Sequence, residues 1–345
     1  MRGTLLIAVA AACTPPALYP DLKVAEQHLH AGEYDQALAA YDRALVSCAT
    51  IANEEKRRAI CGEAHLGRAE LLDRMGRRQA AAAAYEAIPS ALDDDPVPSA
   101  TAVYRAGKIH LELGQEVRGY ELLWRTITNY PDAPAADYAL RQVVVDGRRR
   151  NVAQLYEVLG QLAGRLGETE VGDNLLYWMA ELARDDFHDD PKALELLDKV
   201  ADVYPKGPLF DDALWHGAAI ARSEGDPGGA VKRYRRLLET REVAWINGSY
   251  NSEWFDDSWL QMGITLRDDL EDYGAALKAF RMIPTDYPAS ILRDDALWER
   301  AVTYDRMGKP KRACKELQTL HKKWPDSKYE LERAPQLRER LSCTL

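Results

Sequence analysis

Phenylalanine is scarce in this chain: four in 345 residues, against seventeen Tyr and eight Trp. Rings with a polar tip therefore dominate, the composition of surfaces that are apolar on one side and wet on the other. Long apolar runs are also missing. The longest, residues 5–12, falls far short of the roughly 20 residues that a membrane-crossing helix needs. Positive charge is in deficit, with 45 Lys and Arg against 55 Asp and Glu and a net charge of -10. That sign argues against general binding to nucleic acid or to an anionic lipid surface, and leaves room for local basic patches.

Catalytic signatures are absent as well. There is no H-E-x-x-H, no G-x-S-x-G and no phosphate-binding glycine loop. No C-x-x-C occurs, so zinc knuckles and thioredoxin chemistry have no support. The histidines are scattered; His28 and His30, two apart, point to different sides of a helix. The run Asp185-Asp186-Phe187-His188-Asp189-Asp190 lacks the alternating ligands and the Gly turn of a calcium loop. It reads as a solvated inter-helix loop, as does Asp93-Asp94-Asp95-Pro96. No cofactor, no metal and no enzymatic activity are expected. With 29% charged and 46% hydrophobic residues, the chain is globular rather than disordered.

What is present begins at the N-terminus. Arg2, the short apolar stretch and the small residues before Cys13 are signal-peptide features. Val9-Ala10-Ala11-Ala12-Cys13 resembles the bacterial lipobox, although that family prefers Leu where Ala10 stands. The resemblance implies a signal peptide at residues 1–12, acylation of Cys13 and a tether at 13–19. Thr14 in place of Asp implies sorting to the periplasmic face of the outer membrane. The alternative is conventional cleavage and a soluble periplasmic protein.

One block recurs along the rest: Gly, then a small residue, then a large aromatic or Leu four positions on, often followed by an aromatic-Pro pair. Gly32, Ala37 and Tyr41 form the clearest copy. Gly76, Ala81 and Tyr85 follow, then Gly119 and Leu123 before Tyr130-Pro131. Ala193 and Leu197 precede Tyr204-Pro205, and Gly225 precedes Ala230 and Tyr234. Ala276 and Phe280 precede Tyr287-Pro288, and Gly308, Ala313 and Leu317 precede Trp324-Pro325. A degenerate copy at Val152 and Tyr156 fills the gap. The anchors lie roughly 33 to 46 residues apart. Gly ends a first helix where the chain leaves helical geometry. The small anchor lets a second helix approach, and Pro stops that helix. This resembles the tetratricopeptide repeat, with a period of about 34 residues and two helices per unit.

The resemblance implies an all-α, tetratricopeptide-type helical-hairpin solenoid winding as a right-handed superhelix. About eight repeats would span residues 20–328, with a C-terminal capping helix in 329–345. Several first helices open with paired acids: Asp211-Asp212-Ala213-Leu214-Trp215, Asp294-Asp295-Ala296-Leu297-Trp298, and weaker forms at Asp137 and Asp256-Asp257. These are expected to cap helix starts. Paired acids after an aromatic-Pro turn are similar to Gram-negative envelope lipoproteins of the outer-membrane assembly (BamD-type) and Tol–Pal coordinator (CpoB-type) families. A non-enzymatic protein–protein interaction scaffold is implied, with β-barrel assembly or Tol–Pal and wall-synthesis components as partners. A soluble small-ligand-binding or enzyme-associated repeat protein remains open.

On the repeat reading, Cys48 ends one helix and Cys61 opens the next, while Cys314 lies in the last repeat and Cys343 beyond it. Disulfides Cys48–Cys61 and Cys314–Cys343 are expected; four free thiols are the alternative. Aligned by their anchors, Tyr104, Trp178, Trp215 and Trp298 share one first-helix position. In the family it faces a ligand groove, and inter-repeat packing is the competing role. The stretch from Trp245 through Tyr250 to Trp254 and Phe255 breaks the helical pattern and is a candidate partner-binding loop. Gly147-Arg148-Arg149-Arg150 is a small basic cluster at a helix-hairpin turn, suited to an acidic partner, to lipid headgroups or to solvent as an end-of-helix charge complement.

Overall fold

The computed structural model describes residues 20–93, 95–241 and 252–344. The expected signal peptide, Cys13 and its tether, and the loop candidates Trp245 and Tyr250 lie outside these residues. Among the described residues the chain is all helix, with seventeen helices and no strand. They pair in order as hairpins: α1 (Pro20–His30) with α2 (Tyr34–Cys48), α3 (Glu54–Arg74) with α4 (Arg78–Ala91), and α5 (Pro96–Glu112) with α6 (Glu116–Asn129). α7 (Pro134–Leu166) is followed by α8 (Gly172–Asp185) with α9 (Asp190–Val203), α10 (Phe210–Ser223) with α11 (Pro227–Leu238), α12 (Phe255–Asp268) with α13 (Tyr273–Asp286), and α14 (Arg293–Arg306) with α15 (Pro310–Lys323). Two short helices, α16 (Lys328–Glu332) and α17 (Ala334–Leu341), close the order. No described helix is long and apolar enough to cross a membrane.

The contacts divide the chain into two compact units. One runs up to Asn151 and includes Leu166–Gly172; the other comprises Val152–Arg165 and everything from Asp173 onward. Within each, the second helix of a hairpin lays a small residue at its fourth position against its neighbours. Ala37, Ala81, Ala193, Ala230, Ala276 and Ala313 are all fully buried. α7 is not one continuous helix. Asn151 leaves helical geometry (φ -161°, ψ 92°) and divides the helix into residues 134–150 and 152–166. The anchor expected at Val152 is therefore misplaced. Val152 opens the second segment half-exposed, and Leu155, fourth in that segment and 6% exposed, takes the buried position.

Glycine closes five of the first helices in left-handed geometry: Gly32, Gly76, Gly114, Gly225 and Gly308 have φ of 66–81°. The next amide reaches back to the helix, as in Asp226 N to Ala221 O at 2.8 Å. His188 (φ 54°) and Glu271 (φ 53°) make the same turn without glycine. The amides that follow them still bond back, Asp189 to Ala183 O at 2.8 Å and Asp272 to Leu266 O at 2.7 Å. A left-handed L-residue costs about 1–2 kcal/mol. Glu271→Gly and His188→Gly should therefore each stabilise the folded chain by about 1 kcal/mol, read as a higher urea midpoint. Second helices end on Tyr130, Tyr204, Tyr287 and Trp324, each with ψ between 51° and 64°. The proline after each excludes helical geometry at the residue before it.

Two expectations fail. The paired acids do not supply the capping bonds. Leu209 and Leu292 occupy the N-caps of α10 and α14 and make no side-chain cap bond. Side-chain caps come instead from Asn53, Asp189, Asp226, Asp272 and Ser327. The C-terminal segment is also not one helix. It breaks at Arg333, because Pro335 has no amide to carry the hydrogen-bond ladder and sits in the first turn of a new helix, α17.

Small residues admit a neighbour on first helices as well as on second ones. Phe280 of α13 is fully buried, and a Cβ on Gly263 of α12 would overlap its ring. In the other unit a Cβ on Gly67 would lie 2.6 Å from the ring of Tyr41.

Candidate protein-interaction surface

The paired acids reach forward into the next hairpin. Trp215 stacks on Trp254 at the start of α12, with centroids 4.9 Å apart and planes 11° apart. Trp254 Nε1 donates to Asp212 Oδ1 at 2.9 Å. The arrangement recurs at the last repeat. Trp298 stacks on Tyr329 of α16 at 5.3 Å and 11°, and the Tyr329 hydroxyl donates to Asp295 Oδ1 at 2.6 Å. Asp294 Oδ2 accepts from the Ser327 hydroxyl at 2.6 Å. In both places the Trp supplies a ring face and the second Asp takes the proton of the next ring's polar tip. Phenylalanine at 254 or 329 would stack but lose the ring's bond to that carboxylate, leaving Asp295 with Lys328 Nζ at 3.1 Å.

Of the aligned aromatic positions, Trp215 and Trp298 thus have one face covered by the following hairpin. Tyr104 lies 6.0 Å from the ring of Tyr138, tilted by 32°, with the Lys108 ammonium 5.9 Å from its centroid. Tyr138 is itself 57% exposed, so this pair presents an outward aromatic face. Trp178 is half-buried on α8. Its neighbour Tyr177 meets His216 of α10 edge-on at 6.3 Å, and His216 meets Trp254 edge-on at 5.9 Å. The result is a half-buried row, Tyr177–His216–Trp254–Trp215, across the first helices of three hairpins. Sequence reasoning passed over Tyr177 and His216. Each is adjacent to a flagged Trp, and a turn of about 100° per residue puts a neighbour on an adjoining face.

Electrostatics keep this row uncharged. Burial pushes the Tyr177 phenol up, reinforced by Glu181 and Asp212 and opposed by Arg184. Burial holds His216 below the ordinary imidazole value, with Glu181 and Asp212 opposing and Arg184 assisting. A neutral imidazole beside a protonated phenol can exchange hydrogen bonds with a partner. Among the described residues, no group of three or more His, Cys, Asp or Glu is arranged to hold a metal.

The loop candidates that are described turn inward. Phe255, expected as a partner contact, is the first residue of α12 and 1% exposed, so it belongs to the core. Trp254 is half-buried, with its ring stacked and its N–H taken by Asp212. In the basic cluster, Arg150 pairs with Glu116 at 3.0 Å and lies 4.8 Å from the centroid of Tyr120, while Arg149 is exposed. Cys48 is joined to Cys61 and Cys314 to Cys343, each with Cα atoms 5.4 Å apart. The first bond ties the end of α2 to α3. The second ties α15 to the residue pair after α17.

Residues 295–327, covering α14, α15 and the turn after them, match the family model of the tetratricopeptide repeat. Among the described residues the fold is an array of helical hairpins of the tetratricopeptide type, and one repeat matches that family's model. No curated protein matches it. Among solved structures it is similar to the C-terminal part of a TPR repeat-containing protein from Cytophaga hutchinsonii, at 11% identity and a TM-score of 0.41, over 90% of this chain and 98% of that one. It is also similar to PilW, a type IV pilus biogenesis factor, at 14% identity and a TM-score of 0.37, over 78% and 96%. A tetratricopeptide repeat protein from Parabacteroides merdae aligns at 11% identity and a TM-score of 0.31, over 93% and 97%. Tetratricopeptide arrays are protein–protein interaction scaffolds, offering extended surfaces rather than one enclosed reaction site.

Proposed function

We propose that this array is an exported, lipid-anchored scaffold of the bacterial cell envelope, held at the periplasmic face of the outer membrane through Cys13. Its partners on this reading are components of outer-membrane β-barrel assembly, with Tol–Pal or wall-synthesis proteins as the alternative. The observation that carries export is the pair of disulfides. Cys48–Cys61 joins α2 to α3 and Cys314–Cys343 joins α15 to the segment after α17, each within one compact unit. Bonds of this kind persist in oxidising compartments and are rare in the cytosol. The short apolar stretch ahead of Cys13 supplies the export route, and the acyl chain the anchor.

Metabolic labelling with an alkyne fatty acid tests the anchor, and maleimide-polyethylene glycol gel shifts test the thiols. The expected result is label on the wild type and none on Cys13→Ser, with Cys48, Cys61, Cys314 and Cys343 reacting only after reduction. An unlabelled wild type whose cysteines react without reductant would overturn export and anchoring together.

A further inference from the structure

The last hairpin carries a cleft of about 480 Å³ between α14 and α15, edged by Pro284 of α13. Its walls are basic: Arg293 and Arg300 from α14, and Arg312, Lys315 and Lys323 from α15. Only Arg300 is neutralised, by Glu316 at 2.7 Å. Arg293 directs its Nε to the Ser290 carbonyl at 2.8 Å and lies 5.7 Å from the centroid of Trp324. Arg312 lies 5.7 Å from the centroid of Tyr304, and Lys323 5.9 Å from that of Trp324. Among the described residues, none of Arg293, Arg312, Lys315 and Lys323 has a carboxylate partner. The chain as a whole carries -10, so this concentration of unpaired cations stands against its background.

The ion pairs of the preceding hairpins differ. Between second helices α9 and α11, Arg233 pairs with Asp198 at 2.5 Å and Arg236 with Asp202 at 2.6 Å. Counted from the anchors Ala276 and Ala313, the same positions on α13 and α15 hold Arg281 and Thr285 facing Glu316 and Thr319. Among the described residues no ion pair joins α13 to α15 there, and Glu316 pairs with Arg300 on α14.

We infer that this cleft is a docking site for an acidic, extended peptide segment of a partner protein. The inference rests on the reading of the array as a protein-binding scaffold, and names the chemistry of one partner. A single phosphate needs donors that converge on a point. Here the unpaired cations are spread: along α15, Lys315 lies about 5 Å and Lys323 about 17 Å from Arg312, and Arg293 stands on α14. Carboxylates at alternate positions of an extended strand recur about every 7 Å and can engage such a row in succession. Tyr304 and Trp324 put ring surface between the cations, where apolar side chains of the same segment would lie. The volume falls in the range of ligand-sized clefts.

The test is fluorescence anisotropy of the purified full chain with a labelled octapeptide alternating Glu with Tyr. Expected are saturable binding at micromolar concentration, weakening with added salt, and affinity at least about tenfold lower for the same peptide with Gln in place of Glu. Arg312→Glu with Lys315→Glu should abolish binding while leaving the thermal melt in place, since both side chains are exposed. The neutral pair Arg312→Gln with Lys315→Gln should weaken it by about tenfold. Equal affinity for the Gln peptide, or unaltered binding by either double variant, would overturn the proposal. So would displacement of the peptide by inorganic phosphate at far lower concentration than by unlabelled peptide, which would mark a simple anion site. A chain that ignores the peptide yet still captures envelope partners loses the cleft and keeps the scaffold. One that binds the peptide and captures no envelope partner does the reverse.

Discussion

Glu330→Ala should destabilise the C-terminal helices by about 3–5 kcal/mol, the range for removing one member of a buried ion pair. Glu330 is 7% exposed and ties three helices together. Its two oxygens accept from Arg338 of α17 at 2.7 and 2.8 Å, and Oε1 also contacts His321 Nδ1 of α15 at 2.8 Å. Truncation leaves the Arg338 guanidinium, itself largely buried, without its counter-charge. Burial alone would push the Glu330 carboxyl up, but the bonds from Arg338 and His321 outweigh it and hold the group below its ordinary value of 4.5. A carboxyl depressed in the folded state contributes stability above its unfolded pKa and loses it as pH falls through the folded value. Hydrogen exchange in residues 328–341 should therefore accelerate as pH drops below about 4.5, after correction for the intrinsic rate. In Glu330→Gln that acid-dependent step should be absent. A variant that exchanges like the wild type across this window would remove Glu330 as the tie.

Loss of either disulfide should cost about 3 kcal/mol, and the effect should stay local. Cys314–Cys343 closes 29 residues and Cys48–Cys61 closes 13. In the chain-entropy treatment these correspond to about 3.5 and about 3 kcal/mol respectively. A repeat array does not unfold as one block, because each hairpin contacts mainly its neighbours. Cys314→Ser with Cys343→Ser should therefore raise exchange in α16 and α17, which cover Leu320 and Leu297 of the last hairpin, and leave α1–α4 unchanged. Cys48→Ser with Cys61→Ser should do the opposite. Exchange read by mass spectrometry on both variants checks this. Uniform loss of protection along the chain would contradict it, as would no change in either variant.

Much of the architecture was legible because it is punctuated. Gly32, Gly76, Gly114, Gly225 and Gly308 mark one end of a hairpin, the aromatic-Pro pairs mark another, and the buried alanines repeat between them. The reading slipped where punctuation stops. Around Asn151 there is no proline, and Gly147 stands four residues before the break rather than at it, so a single extended residue interrupts what looks like continuous helix. That is why Val152 was taken for the anchor that Leu155 provides. Phe255 was taken for a loop residue because it ends an aromatic and polar run, although it begins a helix. The acids of Asp211-Asp212 and Asp294-Asp295 suit a helix start by charge alone. Only the fold shows that Asp212 and Asp295 serve Trp254 and Tyr329, 42 and 34 residues away. The basic cleft was not legible at all. Its cations come from two helices and are interleaved in sequence with acids such as Asp305 and Glu316.

An exported, anchored protein scaffold is tested most directly by pulling the tagged full chain from detergent-solubilised envelopes, with Cys13→Ser as control and quantitative mass spectrometry as readout. The expected result is enrichment of β-barrel assembly components that is lost in the control. Enrichment of Tol–Pal or wall-synthesis proteins would keep the scaffold and change its partner. Recovery of the wild type in the soluble fraction with no envelope protein attached would contradict the anchored-scaffold reading.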